Sequence, residues 1–340
     1  MRKSMGKVAV IGQGVIGRGW TAFFASRGLQ VSVFDLDPSA ARAALGGLAE
    51  TVGFLEREGL ARQGVTASLS RAVNLAPSLE EAVAGADYVQ EAVAEDYDVK
   101  KSVFAAADRV AAPDALLASS SSGLLMTEIQ KVTRHPERCL IAHPINPVYL
   151  IPLVELVPGE RTAPEALAVA KEFLEGLGKV PVVLRREVPG YLENRITAAL
   201  WREAIDLVHR GVASVEDVDK TIWAGPGLRY ALMGPHLIYH LGGGPGGIRH
   251  FVEHLHPAFQ QWWSDMSAWT SIPDGAVESL ESGLEEVTAG RSYQDMVAWR
   301  DGMLVKMLKL LGHGQPAMGN RPAADHLPGQ QTIGPASRRG

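Results

Sequence analysis

The chain has 340 residues, 46% of them hydrophobic and 21% charged, with 36 glycines; this suits two globular domains, each burying a core. A formal net charge of −5 and a pI near 6.1 give no basic footprint for nucleic acid or an anionic membrane. The single cysteine, Cys139, excludes an intrachain disulfide framework, and no apolar run approaches the roughly 18 residues of a membrane span.

Lys7–Ile11 reads as a short buried strand, followed by a glycine turn and an amphipathic helix to about Gly28. The Val8–Ile11 run is too short for a signal-peptide core, so the expected location is cytoplasmic. Residues 29–35 alternate as a second strand, and residues 38–58 have helical periodicity. Further apolar runs recur near Tyr88, Leu116, Leu140, Leu153 and Val182, most of them separated by helical segments. This alternation predicts an α/β fold of Rossmann type, with a mainly parallel, doubly wound sheet.

The rhythm changes after Pro189-Gly190. Residues 191–210 form a long helical pattern, and no strand-like run follows. Residues 292–311 predict another helix, opened by Ser292 and Asp295 in capping-box positions and carrying an apolar stripe of Met296, Val297, Leu304, Met307, Leu308 and Leu311. The expected organisation is a nucleotide-binding domain over 1–187, an all-helical domain over 188–312, and a disordered Gly/Pro/Ala-rich tail over 313–340. The apolar helices of the second domain suggest a homodimer formed through it.

Gly12-Gln13-Gly14-Val15-Ile16-Gly17 lies between the first strand and its helix. The first glycine permits the tight turn, the second lets a pyrophosphate approach the backbone, and the third allows close helix–strand packing. The phosphates would rest on the helix N-terminus at Gly14, Val15 and Ile16. Such a turn alone is weak evidence, but Asp35 ends the next strand, where a carboxylate accepts from the adenosine ribose hydroxyls. Asp35 repels a 2′-phosphate, and Leu36-Asp37-Pro38 brings no arginine to offset it, so NAD is expected rather than NADP.

Three prolines crowd the segment 142–155, which also carries His143, Asn146 and Glu155. Oxidation of an alcohol with nicotinamide needs a base for the hydroxyl proton. A histidine oriented by a carboxylate suits that task. The alternative is a satisfied core histidine beside an unrelated strand glutamate.

On these motifs the chain resembles the 3-hydroxyacyl-CoA dehydrogenase superfamily over about residues 6–312. The family's base lies in H-x-x-N-P, with a glutamate twelve positions on; His143-Pro144-Ile145-Asn146-Pro147 and Glu155 match both. The resemblance implies that Asn146 binds the substrate oxygen, and that Ser122 and Asn194 contact substrate oxygens or the nicotinamide. It implies that Glu95 and Lys100 lie near the nicotinamide ribose. The chain departs from the acyl-CoA pattern "SNTSSL" with Ser119-Ser120-Ser121-Ser122-Gly123-Leu124. That departure, with "GPGLRYALMGP" at 225–235, is similar to the branch acting on free short hydroxy acids, carnitine-type first and gulonate-type second.

For a free acid, Arg229 is the expected carboxylate partner, with a structural salt bridge as the alternative, while Trp223, Tyr230 and Tyr239 offer faces to a trimethylammonium. A CoA-linked substrate, or a crystallin-like structural protein that retains NAD, remain the alternatives. His250, His254 and His256 lack an acid or cysteine to complete a metal site, and no metal is expected. Cys139 reads as an inert buried thiol, and Trp262, Trp263 and Trp269 as core or dimer packing.

Overall fold

The computed structural model describes residues 5–312, so the expected tail lies outside the described residues. The described residues fall into two compact units: residues 5–191 with 303–312, and residues 192–302. The division falls three residues after the expected position 188. The last helix, expected wholly in the second domain, is shared between the units because its C-terminal half from Met303 packs on the first.

The first unit holds an eight-stranded sheet of β1 (Lys7–Ile11), β2 (Gln30–Phe34), β3 (Val73–Leu75), β4 (Tyr88–Glu91), β5 (Leu116–Ser119), β6 (Cys139–Pro144), β7 (Leu153–Pro158) and β8 (Val180–Val183). Their order is β3-β2-β1-β4-β5-β6-β7-β8, parallel throughout except for the antiparallel pair β6/β7. The chain runs outward one way through β2 and β3 and the other way through β4 to β6. The order therefore reverses between β1 and β4, where a doubly wound sheet opens a crevice beyond its strand C-termini.

Period-two alternation builds two cores. Val8 and Val10 join Trp20, Phe24, Tyr88, Leu140 and Leu174 on one face, while Ala9 and Ile11 join Val89, Phe104, Leu117 and Ile141 on the other. The central strands, buried on both faces, read as near-continuous apolar runs, and β2 and β8 are rich in valine, so seven of the eight are evident from sequence. The three-residue edge strand β3 is too short to give such a run. Residues 38–58 are not one helix but two, Pro38–Gly46 and Leu48–Arg57, joined at Gly47.

The second unit is helical. It comprises Glu193–His209, Val215–Ala224, Pro226–Tyr230, Pro235–Gly242, Gly247–Asp265, Ala276–Thr288 and the start of Tyr293–Leu311. Ser292 does cap that last helix, accepting from the Asp295 N–H at 3.1 Å. Its buried stripe is carried by Val305 and Leu308 with Leu304 beside them, whereas Met307 is exposed. Within the second unit Trp269 Nε1 donates to Asp206 Oδ1 at 3.1 Å, while Trp262 and Trp263 are exposed. No described helix is long and apolar enough to cross a membrane.

Candidate active site

The glycine turn follows β1 at the point where the strand order reverses. Gly12 has φ +92°, and a Cβ there would stand 2.5 Å from the Ala92 carbonyl oxygen at the end of β4. A Cβ on Gly17 would strike the Gly12 carbonyl at 1.8 Å, so the helix Val15–Ser26 can approach the turn only with glycine at that position. Gly14 is different, since nothing lies within 4 Å of its Cβ position. It caps the helix N-terminus, and the first-turn N–H groups of Val15, Ile16 and Gly17 are those a helix leaves without internal partners. Open space over those donors fits a dinucleotide pyrophosphate.

Asp35 lies one residue beyond β2. Its Oδ2 accepts from the Gln13 N–H at 2.6 Å and its Oδ1 from the Asp37 N–H at 2.9 Å. The carboxylate is thereby fixed beside the turn, with acceptor capacity left on each oxygen for ribose hydroxyls.

His143 and Glu155 are direct partners across the antiparallel β6/β7 pair. His143 Nδ1 lies 2.9 Å from Glu155 Oε2, and the two residues are 4% and 1% exposed. A carboxylate accepts, so the proton belongs on Nδ1 and the lone pair on Nε2. Asn146 stands exposed on the irregular connection of residues 145–152, and the Asn146–Pro147 peptide is cis. The imidazole packs edge-to-face on Tyr191, with centroids 5.5 Å apart. Tyr191 is fully buried at φ +49° and donates from its hydroxyl to the Leu124 carbonyl at 2.6 Å. The sequence reading gave Tyr191 no role; its only signal was its place after Pro189-Gly190.

The serine turn after β5 is organised by Glu95. Its Oε1 accepts from Ser121 Oγ at 2.6 Å and from the N–H groups of Ser122 and Gly123 at 2.8 and 3.2 Å, leaving Ser122 exposed at the tip. Its Oε2 lies 3.3 Å from Lys100 Nζ. Burial alone would raise the Glu95 carboxyl, but the Ser121 hydroxyl, the Lys100 charge and the Ser122 N–H together hold it below its usual range. Lys100 is itself buried and pairs at 2.9 Å with Glu91, whose Oε2 accepts from Ser119 Oγ at 2.5 Å. Burial pushes the Glu91 carboxyl up against these partners. Glu91, Ser119 and Ser121 also escaped the sequence reading, because a polar side chain within an apolar strand carries no label for its partner.

The first unit thus carries Gly12, Gly14 and Asp35 in the loops after β1 and β2, Val15, Ile16 and Gly17 on the helix Val15–Ser26, Glu95 and Ser122 in the loops after β4 and β5, Lys100 on the helix Tyr97–Val110, and His143, Asn146 and Glu155 on β6, β7 and their connection. Two expected residues belong to the other unit: Asn194 begins the helix Glu193–His209, and Arg229 is exposed on the short helix Pro226–Tyr230. Cys139 is buried, and that burial pushes its thiol up to about 12. His250 Nδ1 lies 3.0 Å from the Gly243 carbonyl oxygen. Among the described residues no group of three His, Cys, Asp or Glu side chains is arranged to hold a metal ion.

Comparison with known proteins bears on this geometry. The family model for the 3-hydroxyacyl-CoA dehydrogenase NAD binding domain matches residues 7–188, and that for the C-terminal domain matches residues 190–278. An L-carnitine dehydrogenase of Streptomyces coelicolor is 41% identical over 316 residues, covering 93% of this chain and 98% of the relative. One from a Pseudomonas species is 40% identical over 311 residues, covering 92% and 95%. Among solved structures, an NAD+-dependent dismutase, 5-formyl-3-hydroxy-2-methylpyridine 4-carboxylic acid 5-dehydrogenase, is 29% identical with a TM-score of 0.77. That match covers 91% of this chain and 99% of the other.

Proposed function

Since the chain belongs to the 3-hydroxyacyl-CoA dehydrogenase family, we propose that it oxidises the 3-hydroxyl of L-carnitine, a free cationic 3-hydroxy acid, to the 3-keto acid. It is an NAD-dependent dehydrogenase of 3-hydroxy acids. The substrate assignment is supported by about 40% identity to L-carnitine dehydrogenases along nearly their whole length.

The observation that carries the chemistry is the buried pair His143–Glu155 at 2.9 Å. Bound NAD supplies the acceptor for the carbinol hydride. His143 Nε2 receives the hydroxyl proton, and Glu155 supports the imidazolium that results. Ser122, Asn146 and Asn194 hold the substrate oxygen. Asp35 binds the adenosine ribose, the helix N-terminus at Val15 and Ile16 the phosphates, and Glu95 with Lys100 the nicotinamide ribose. Arg229 binds the substrate carboxylate through its planar fork.

Homodimerisation through the helical domain is part of the same reading. Ile196, Trp201, Leu228, Leu232 and Trp263 are all exposed in the second unit, and side chains of this kind are what a partner's helices would cover. Sedimentation at micromolar concentration should give a dimer, and a monomer would count against it.

An initial-rate panel with NAD and L-carnitine, L-gulonate, 3-hydroxybutyrate and 3-hydroxybutyryl-CoA tests the substrate. The highest kcat/KM is expected for L-carnitine. A preference for the CoA thioester would overturn the free-acid reading.

A further inference from the structure

Lys179 is the most unusual buried cation in the first unit. Its residue is 5% exposed, and the only hydrogen bonds its side chain makes are to backbone: Nζ donates to the Val148 carbonyl at 2.5 Å and to the Ile151 carbonyl at 2.8 Å. The nitrogen otherwise faces two aromatic rings, 4.4 Å from the Phe23 centroid and 5.3 Å from that of Trp20. A buried lysine normally has a carboxylate partner, and among the described residues none lies within ion-pair distance of this one. Burial, and secondarily the Arg27 guanidinium, lower its ammonium well below the usual lysine range. Charged or neutral, the nitrogen keeps at least two N–H donors, enough for two carbonyls.

Those carbonyls belong to the connection between β6 and β7. Neither a helix nor a strand ladder runs through residues 145–152, so Lys179 takes the place of secondary structure there. Asn146 lies on this connection, with His143 and Glu155 on the strands at its two ends. The base of the lysine is anchored as well: its N–H donates to the Leu174 carbonyl at 2.9 Å, and the next N–H, of Val180, donates to the Pro152 carbonyl at 2.8 Å.

The same connection presses on the dinucleotide helix. A Cβ on Gly19 would stand 2.8 Å from Val148 Cβ. The next residue, Trp20, links the lysine to the serine turn, because its Nε1 donates to Ser120 Oγ at 3.2 Å.

We propose that Lys179 is a positioning residue of the active site, a clamp that holds the 145–152 connection so that Asn146, His143 and Glu155 keep one geometry relative to the dinucleotide helix. The proposal rests on the function given above only in taking those three residues as the reacting set.

The test is Lys179→Met, which fills the slot between Trp20 and Phe23 but donates nothing. In the NAD-bound variant, amide hydrogen exchange should accelerate in the peptide spanning 145–152 and not in β1 or β4. With saturating L-carnitine and NAD, the single-turnover rate of NADH formation should fall about 10- to 100-fold, as for a displaced catalytic group, while the Kd for NAD stays within about twofold. A first-order single-turnover constant does not depend on how much enzyme is folded, so a purely structural role would leave it unchanged. An unaltered constant with unaltered exchange would overturn the proposal. Lys179→Gln, whose shorter stem cannot span both carbonyls, carries the same expectation should the methionine variant not fold. If wild-type enzyme fails to turn over L-carnitine, the substrate reading fails, and the exchange measurement with NAD alone still decides the role of Lys179.

Discussion

His143 and Glu155 face each other across the antiparallel β6/β7 pair, Nδ1 to Oε2 at 2.9 Å, in the only antiparallel register of the eight-stranded sheet. Both side chains are held by strand pairing rather than by a mobile loop. A base mounted on two paired strands loses little precision to thermal motion.

From this pair follows the first prediction. His143→Asn should lower kcat by roughly 100-fold or more, as when a positioned general base is lost. NAD affinity should barely change, because the phosphates and adenosine bind at the β1 turn. Glu155→Gln should also be slow, since the imidazolium formed in the reaction has lost its carboxylate. Near-normal turnover in His143→Asn would remove His143 from the mechanism.

On the proposed reading, Asp35 sets cofactor choice. NAD should be used far better than NADP, and Asp35→Ala should narrow the gap by relieving repulsion of the 2′-phosphate. Because Asp35 also accepts from the Gln13 and Asp37 N–H groups, alanine loosens the turn as well. Asp35→Asn keeps an acceptor while removing the charge, and so isolates the electrostatic part. Equal wild-type efficiency with the two cofactors would contradict the assignment.

The serine turn should be sensitive to acid through Glu95. Its carboxyl is held below the ordinary value of 4.5, so its stabilisation of the turn is fully present above that pH and disappears as pH falls through the lower folded value. The amide resonances of Ser122 and Gly123 should therefore stay unmoved as pH falls to about 4.5 and shift only below it. In Glu95→Gln that acid titration should be absent. Movement of these resonances in the wild type well above pH 5 would argue that another group holds the turn.

If Arg229 is the carboxylate partner proposed above, its replacement tells a free acid from a thioester. Arg229→Met should raise KM for L-carnitine by about 10-fold or more, the order expected when a charge-assisted bidentate contact is removed, with NAD affinity unchanged. Indifference of KM to this substitution would leave the carboxylate partner elsewhere.

Much of this protein is legible in local sequence, because local physics suffices for it. Strands buried on both faces announce themselves as apolar runs, and Gly12 and Gly17 mark a turn whose backbone conformation and close contacts exclude side chains, with Gly14 between them leaving open space at the helix N-terminus. Asp35 is identifiable because chain geometry puts the end of the second strand beside that turn. The spacing of twelve between His143 and Glu155 suggested a pair, but a spacing does not set a register: a slip of one residue would have turned Glu155 to the other face of the sheet.

Tertiary structure alone decided that register, the burial of Tyr191 against the imidazole, and the place of Lys179 among carbonyls more than 25 residues away in the chain. It also drew the end of the last helix onto the first unit, where Val305 and Leu308 join the core. These features depend on which surfaces meet after the chain has folded back on itself. Periodicity and turn chemistry act over a few residues and hold no information about a partner so far along the chain.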